Sequence, residues 1–193
     1  MNRVEAVNEA IKNRRAIYTS MFSGKRVDDQ IINQMLENAN WAPTHKLTEP
    51  WRFVVFKGAG LQKLADFQSE LYQSKSEKEG TFNPTQYEKL QSKPLECSHI
   101  IAIGMKRHQV VPEVEEVCAV AAAVQNMWIT ASSYGVGCYW STGGVTFYEE
   151  AKPFFGLDNE DKLLGFLFIG MPKSDKWPEG RRKSIQDKVT IVE

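Results

Sequence analysis

Residues that build metal centres and disulfide frameworks are scarce in this chain, with three Cys and three His among 193 residues. Cys97, Cys118 and Cys138 are odd in number and widely spaced, with no C-x-x-C, so neither a disulfide framework nor a zinc or iron–sulfur site is supported. His45, His99 and His108 show no ligand spacing such as H-x-x-x-H, and no metal is expected. Excess charge of one sign is also lacking. The 24 Lys+Arg balance 24 Asp+Glu, so nothing steers the chain toward nucleic acid or an anionic membrane. No stretch approaches membrane-spanning length, and the opening MNRVEAVNEAIKNRR has no continuous apolar h-region, which makes the cytoplasm the expected compartment. A G-x-G-x-x-G after a strand, a Walker loop and a G-x-S-x-G elbow are all missing, so no separate dinucleotide-binding domain is expected.

What is present starts with a length suited to one domain, 1–193, interrupted by an excursion. The stretch Val111–Gly144 is the centre of the reading. Pro112 suits a helix start, and Glu113, Glu115 and Glu116 suit its positive end. Val117 to Ala131 is small and apolar nearly all round, which predicts a helix buried on most of its surface, with Gly135 and Gly137 stopping it. Cys138 to Trp140 reads as a buried turn or short strand, and Gly143-Gly144 leaves backbone bare for a flat ligand or another chain. An Ala-rich core helix ending in Gly is the plainer explanation of the same residues. Aromatic content of 11%, with five Trp, suits either a stacking site or core packing.

Elsewhere the periodicity predicts an amphipathic helix over Val4–Asn13, with Val4, Val7, Ala10 and Ile11 on one face. It ends in Arg14-Arg15, which either complement the helix dipole or clamp a phosphate. Asp28 or Asp29 caps a helix over Gln30–Asn40, whose Ile31, Ile32, Met35 and Leu36 face inward. Pro43 ends it, and a loop rich in Thr, His and Lys leads into a central strand at Trp51–Phe56. Further helices are expected at Gly60–Gln73 and Phe147–Phe155, strands at His99–Met105 and Leu163–Ile169, and a closing strand at Val189–Val192. Residues 74–96 form the least regular part, a solvated connector or a lid, with a possible short helix opening at Asn83-Pro84.

R-R-A-I-Y (Arg14–Tyr18), followed some twenty-five residues later by W-A-P-T-H-K-L-T-E-P-W-R-F-V-V (Trp41–Val55), resembles the FMN-dependent nitroreductase family, in particular its compact NAD(P)H nitroreductases. Gly137–Gly143 resembles the family's turn after the central helix, and Leu164–Pro172 its G-F-L-x-I-G-x-P strand. Four positions depart from the pattern: Ala16 in place of Ser, Tyr18 in place of Lys or Arg, Leu47 in place of Asn, and Glu49 in place of Gln.

The resemblance implies an α+β fold, a mixed and mostly antiparallel sheet flanked by helices in three layers, with the C-terminal strand exchanged in a homodimer. It implies FMN as cofactor and NADH or NADPH as co-substrate, with a hydride passed through flavin N5 to nitroaromatic, quinone or similar planar acceptors in ping-pong order. Arg14, Arg15 and the backbone of Ala16 would anchor the phosphate and ribityl chain beside Tyr18, with Arg181 and Arg182 as a second anionic clamp. Trp140, Ser141, Thr142 and Gly143 would line the ring, while Trp41, Pro43, Thr44 and His45 would reach it from the other subunit. No catalytic acid or base is demanded. A flavin carrier or sensor without turnover is the alternative.

Overall fold

The computed structural model describes residues 2–193. Helix α1 (Arg3–Asn13) opens on a reciprocal capping box between Asn2 and Glu5. Helix α2 (Asp29–Ala39) starts where the Asp28 carboxylate accepts from the Gln30 amide, as the sequence predicts. Strand β1 (Trp51–Lys57) leads into α3 (Ala59–Lys78), and α4 (Pro84–Ser92) begins with Asn83 as cap and Pro84 in its first turn. A 3₁₀ turn, Lys93–Glu96, precedes β2 (His99–Met105). Helix α5 (Glu113–Ser133), β3 (Gly137–Ser141), a 3₁₀ helix at Glu149–Phe155 and β4 (Lys162–Gly170) complete the frame.

The sheet order is β1-β2-β4-β3. Helices cover both faces, which is why β2 and β4 read as continuous apolar runs rather than alternating ones. Ile101, Ile103, Leu167 and Ile169 pack with α2 and α5 on one side. Ile100, Ala102, Phe166 and Phe168 pack with α3 and the Glu149–Phe155 helix on the other. The architecture is α+β, in three layers, as expected.

Several particulars differ from the sequence reading. All strand pairings are antiparallel rather than mixed, and the parallel contact that does occur is an isolated bridge of Ala16 to Cys138. Strand β1 is an edge, not a central strand, because β2 pairs it on one side only. Val189–Val192 is exposed and pairs with no strand among the described residues; an exchanged strand needs a second chain. Helix α1 buries none of its residues, and Val4, Val7 and Ile11 are open to solvent. Helix α5 buries one stripe, Glu116, Ala119, Val120, Ala123, Val124, Met127, Thr130 and Ala131, while Val114 and Cys118 are exposed. Residues 74–96 are mostly helical, since α3 continues past Gln73 to Lys78, where Lys75 bonds Glu150 at 2.8 Å.

His99 is a buried structural residue, tying β2 to the start of α2. Its Nε2 lies 3.0 Å from Asp29 Oδ1, and its Nδ1 lies 3.0 Å from the Ser98 hydroxyl. Asp29 also accepts from Lys57 at 2.6 Å and Arg26 at 3.1 Å. Those hydrogen bonds, Lys57 first, hold the Asp29 carboxyl well below the usual carboxylate range. Burial pushes His99 down against the pull of Asp29. Both folded-state values lie below their unfolded ones. The stabilisation is therefore present at neutral pH, declines below about pH 6.5 through His99, and is lost below about pH 4 through Asp29. Replacing Asp29→Asn should lower the urea midpoint at pH 7, remove the loss of stability below about pH 4 and steepen the decline between about pH 4 and 7, because protonated His99 would lack its counter-charge. Identical pH profiles for the two proteins would contradict this assignment.

Candidate functional site

The segment that follows α1 is laid along the free edge of β3. The Ile17 amide donates to the Cys138 carbonyl at 2.9 Å, and Trp128 Nε1 donates to the Arg15 carbonyl at 3.0 Å. Gly137 is required there, since a Cβ would lie 2.9 Å from two Ile17 side-chain carbons. The docking fixes two arginines beside the sheet, and they differ in use. The Arg15 guanidinium is taken up by carbonyls, Pro178 at 2.9 Å, Lys12 at 2.5 Å and Arg14 at 2.9 Å. Arg14 instead lies over the Trp128 ring, 4.5 Å from its centroid. Burial, then the neighbouring Arg182 and Arg15, lower the Arg14 pKa, so three like charges share one locality. Among the described residues no carboxylate forms an ion pair with Arg14, Arg15, Arg181 or Arg182. In a chain of zero formal charge, this cluster is suited to an anion.

Farther along β3, Trp140 is anchored by its indole N–H to the Leu164 carbonyl at 3.0 Å. Gly143 N–H bonds the Ser141 hydroxyl at 3.3 Å, and the Thr146 hydroxyl donates to the Gly143 carbonyl at 2.7 Å. Thr142 and Gly143 are exposed, so this turn presents backbone to whatever lies above it. The Tyr18 ring packs tilted against that of Tyr139, centroids 4.7 Å apart, joining the basic segment to the turn. Arg14, Arg15, Ala16, Tyr18 and Trp140–Gly143 thus lie along one sheet edge, with Arg182 nearby.

Pro43, Thr44 and His45 are not brought to that edge. His45 Nδ1 contacts Glu115 Oε2 at 2.5 Å near the start of α5, whereas Arg14 sits over Trp128 near its end. Their contacts on α5, Glu115 and Trp128, are thirteen residues and about 20 Å of helix apart. Pro43, Thr44 and His45 line a cavity of about 430 Å³ with Val114, Glu115, Cys118 and Ala119. Trp41 is 79% exposed. The loop carries unusual backbone, with Lys46, Leu47 and Glu49 all at positive φ. Lys46 Nζ, bonded to the Val110 carbonyl at 3.1 Å, helps to hold it.

Lys93 is a residue that the sequence reading missed. It is half-buried, its Nζ 5.2 Å from the Tyr139 ring centroid and 4.6 Å from that of Phe168, and among the described residues no carboxylate pairs with it. Burial lowers its pKa. The signal available was slight: a Lys-Pro step closing a helix just ahead of a buried strand.

With this geometry in view, the profile of the Nitroreductase family matches residues 11–171, and the chain belongs to that family. It is 26% identical over 190 residues to YfhC of Bacillus subtilis (strain 168), provisionally named an NAD(P)H nitroreductase, covering 95% of this chain and 93% of that one. A nitroreductase-like family protein from Bacillus cereus superposes with a TM-score of 0.81 at 28% identity, over 100% of this chain and 99% of its own. The FMN-dependent nitroreductase NfnB from Mycobacterium smegmatis, solved in complex with NADPH, shares the fold at 17% identity, with a TM-score of 0.75 over the full length of both chains.

The turn depends on Gly165. Its φ is +116°, and a Cβ there would lie 2.3 Å from the Ser141 carbonyl oxygen and 3.0 Å from Trp140 Nε1. Gly165→Ala should cost about 2 kcal/mol or more of unfolding free energy in urea titration. Gly60→Ala, which meets only ordinary contacts near the start of α3, should be neutral or stabilising. Equal stability of the two variants would contradict the close approach described.

Proposed function

We propose that the protein is an FMN-dependent NAD(P)H oxidoreductase acting on nitroaromatic, quinone or similar planar electrophiles. The observation that carries this reading is the unpaired Arg14–Arg182 cluster on the same sheet edge as the exposed turn Thr142–Gly143, in a chain of the nitroreductase family. The residues fit the group: guanidinium forks match phosphate oxygens, and a bare turn admits a flat ring. Bound FMN would supply the redox chemistry, taking a hydride from NAD(P)H and delivering it to the acceptor.

The chain's own part is to bind, orient and compensate charge. Arg14 holds the phosphate, with Arg182 or Arg181 closing on it from the tail. Arg15 pins the tail through Pro178 and so positions that second clamp. Ala16 contributes backbone to the ribityl chain, and Trp140, Ser141, Thr142 and Gly143 line the ring. Lys93 and Tyr18, both against Tyr139, stand beside the ring, where the half-buried ammonium offsets negative charge.

Two copies of the chain are part of this reading. His45 lies too far from Arg14 within one chain and would reach the ring, together with Trp41, from a second copy. The exposed apolar residues of α1 and of the tail, Val4, Val7, Ile11, Val189 and Ile191, supply surface for that homodimer, with the tail as the exchanged strand.

The purified protein should be a yellow dimer in sedimentation, releasing FMN on denaturation and oxidising NADH or NADPH when a nitroaromatic is added. Arg14→Ala should weaken FMN binding by about tenfold or more, the worth of a charge-assisted contact. A protein that stays colourless and monomeric with saturating FMN would overturn the proposal. A yellow protein never reduced by either nucleotide would favour a flavin carrier or sensor.

A further inference from the structure

A second set of groups converges on the same turn from the opposite layer. Gly144 has φ +65°, and a Cβ there would lie 2.8 Å from Gln68 Oε1 and 3.1 Å from Leu90 Cδ2. The Gln68 amide, in the middle of α3, is therefore aimed at the backbone that follows Gly143. Gln68 is only 3% exposed. Its polar neighbours on α3 are partnered, Gln62 with Asp66 at 2.8 Å, Ser69 with the Asp66 carbonyl at 3.0 Å and Gln73 with Glu77 at 2.7 Å. No described residue donates to or accepts from the Gln68 amide. A buried amide without partners is costly, and most are hydrogen-bonded. No side-chain polar atom among the described residues is both sealed from solvent and unpaired, so the amide still opens onto accessible space. Lys93 lies three residues beyond Leu90, on the same side of that helical segment, and its ammonium likewise lacks an oxygen partner.

A primary amide offers one acceptor and one donor side by side. Its complement is a ring edge with an N–H next to a carbonyl, the pairing by which Gln and Asn read purine edges. The pyrimidine ring of a flavin has such an imide edge, a carbonyl on each side of N3–H. We propose that Gln68 recognises this edge, Oε1 accepting from N3–H and Nε2 donating to an adjacent carbonyl, with Lys93 next to it. The inference rests on the FMN reading above and adds a residue that selects for an imide ring over other phosphorylated aromatics. Gln68 binds and orients; it takes no part in electron transfer.

The test is a titration of the purified protein with FMN and with 3-methyl-FMN, followed by quenching of flavin fluorescence, for wild type and Gln68→Met. Met keeps the length of the side chain and removes both polar atoms. Wild type should bind FMN about tenfold tighter than the N3-methylated form. Gln68→Met should bind FMN about tenfold more weakly, with the ratio between the two flavins close to one. A wild-type ratio near one overturns the inference without any variant. An unchanged ratio in Gln68→Met also overturns it, as would follow if the side chain only props the Gly144 turn and both flavins weaken together. If wild type binds neither flavin, the FMN reading itself falls, and that result is distinct from the other two.

Discussion

One backbone contact organises the site: the Ile17 amide on the Cys138 carbonyl, at the free edge of β3. An edge strand exposes unpaired carbonyls and amides, and something must cover them. Here the cover is the segment that leaves α1. Because the segment runs along β3, the charged residues just ahead of it and the bare turn at the strand's far end are held at a fixed separation. The Trp128 indole bonding the Arg15 carbonyl, and the Trp128 ring beneath Arg14, make α5 the other half of the clamp. A site built on a strand edge and a buried helix is rigid, which suits a cofactor that must be oriented rather than chemically assisted.

Charge is the second constraint. The chain has equal numbers of acidic and basic residues, yet they are unevenly matched. Around β2 and α5 the cations are spent on structure: Arg107 on buried Glu116 at 2.6 Å, Lys106 on Asp158 and Asp161. Along the β3 edge, Arg14, Arg182 and Lys93 have aromatic rings or one another as neighbours. Grouping like charges without partners destabilises a fold, so such a group persists where a ligand repays the cost.

Much of the frame was legible in the sequence. The apolar runs at His99–Met105 and Leu163–Ile169 read as strands, the second covered on both faces, and Asp28 or Asp29 announced α2. The order of strands was not legible: Trp51–Phe56 is as aromatic and β-branched as a central strand, yet it sits at an edge. Nor could periodicity show that the apolar stripe of α1 faces solvent in a single chain, since the pattern says only that a face is to be covered. Of the candidate residues, those carried by runs, Arg14-Arg15 and Trp140–Gly143, were visible. Lys93 and Gln68 were not, because each is an ordinary polar residue in a helical segment, and only the layer beneath reveals that neither has a partner. Arg15 illustrates the converse, a conspicuous cation turned to carbonyls of its own chain.

The central claim is that the β3 edge, and no other part of the surface, receives a phosphorylated flat ring. A crystal structure of the protein grown with FMN addresses it directly. The account predicts the phosphate on the Arg14 guanidinium, the ring along Ser141–Gly144, and the partner subunit's His45 on the ring's far side. FMN seated instead in the cavity between His45 and Cys118 of one chain, with Arg14 still unengaged over Trp128, would contradict it.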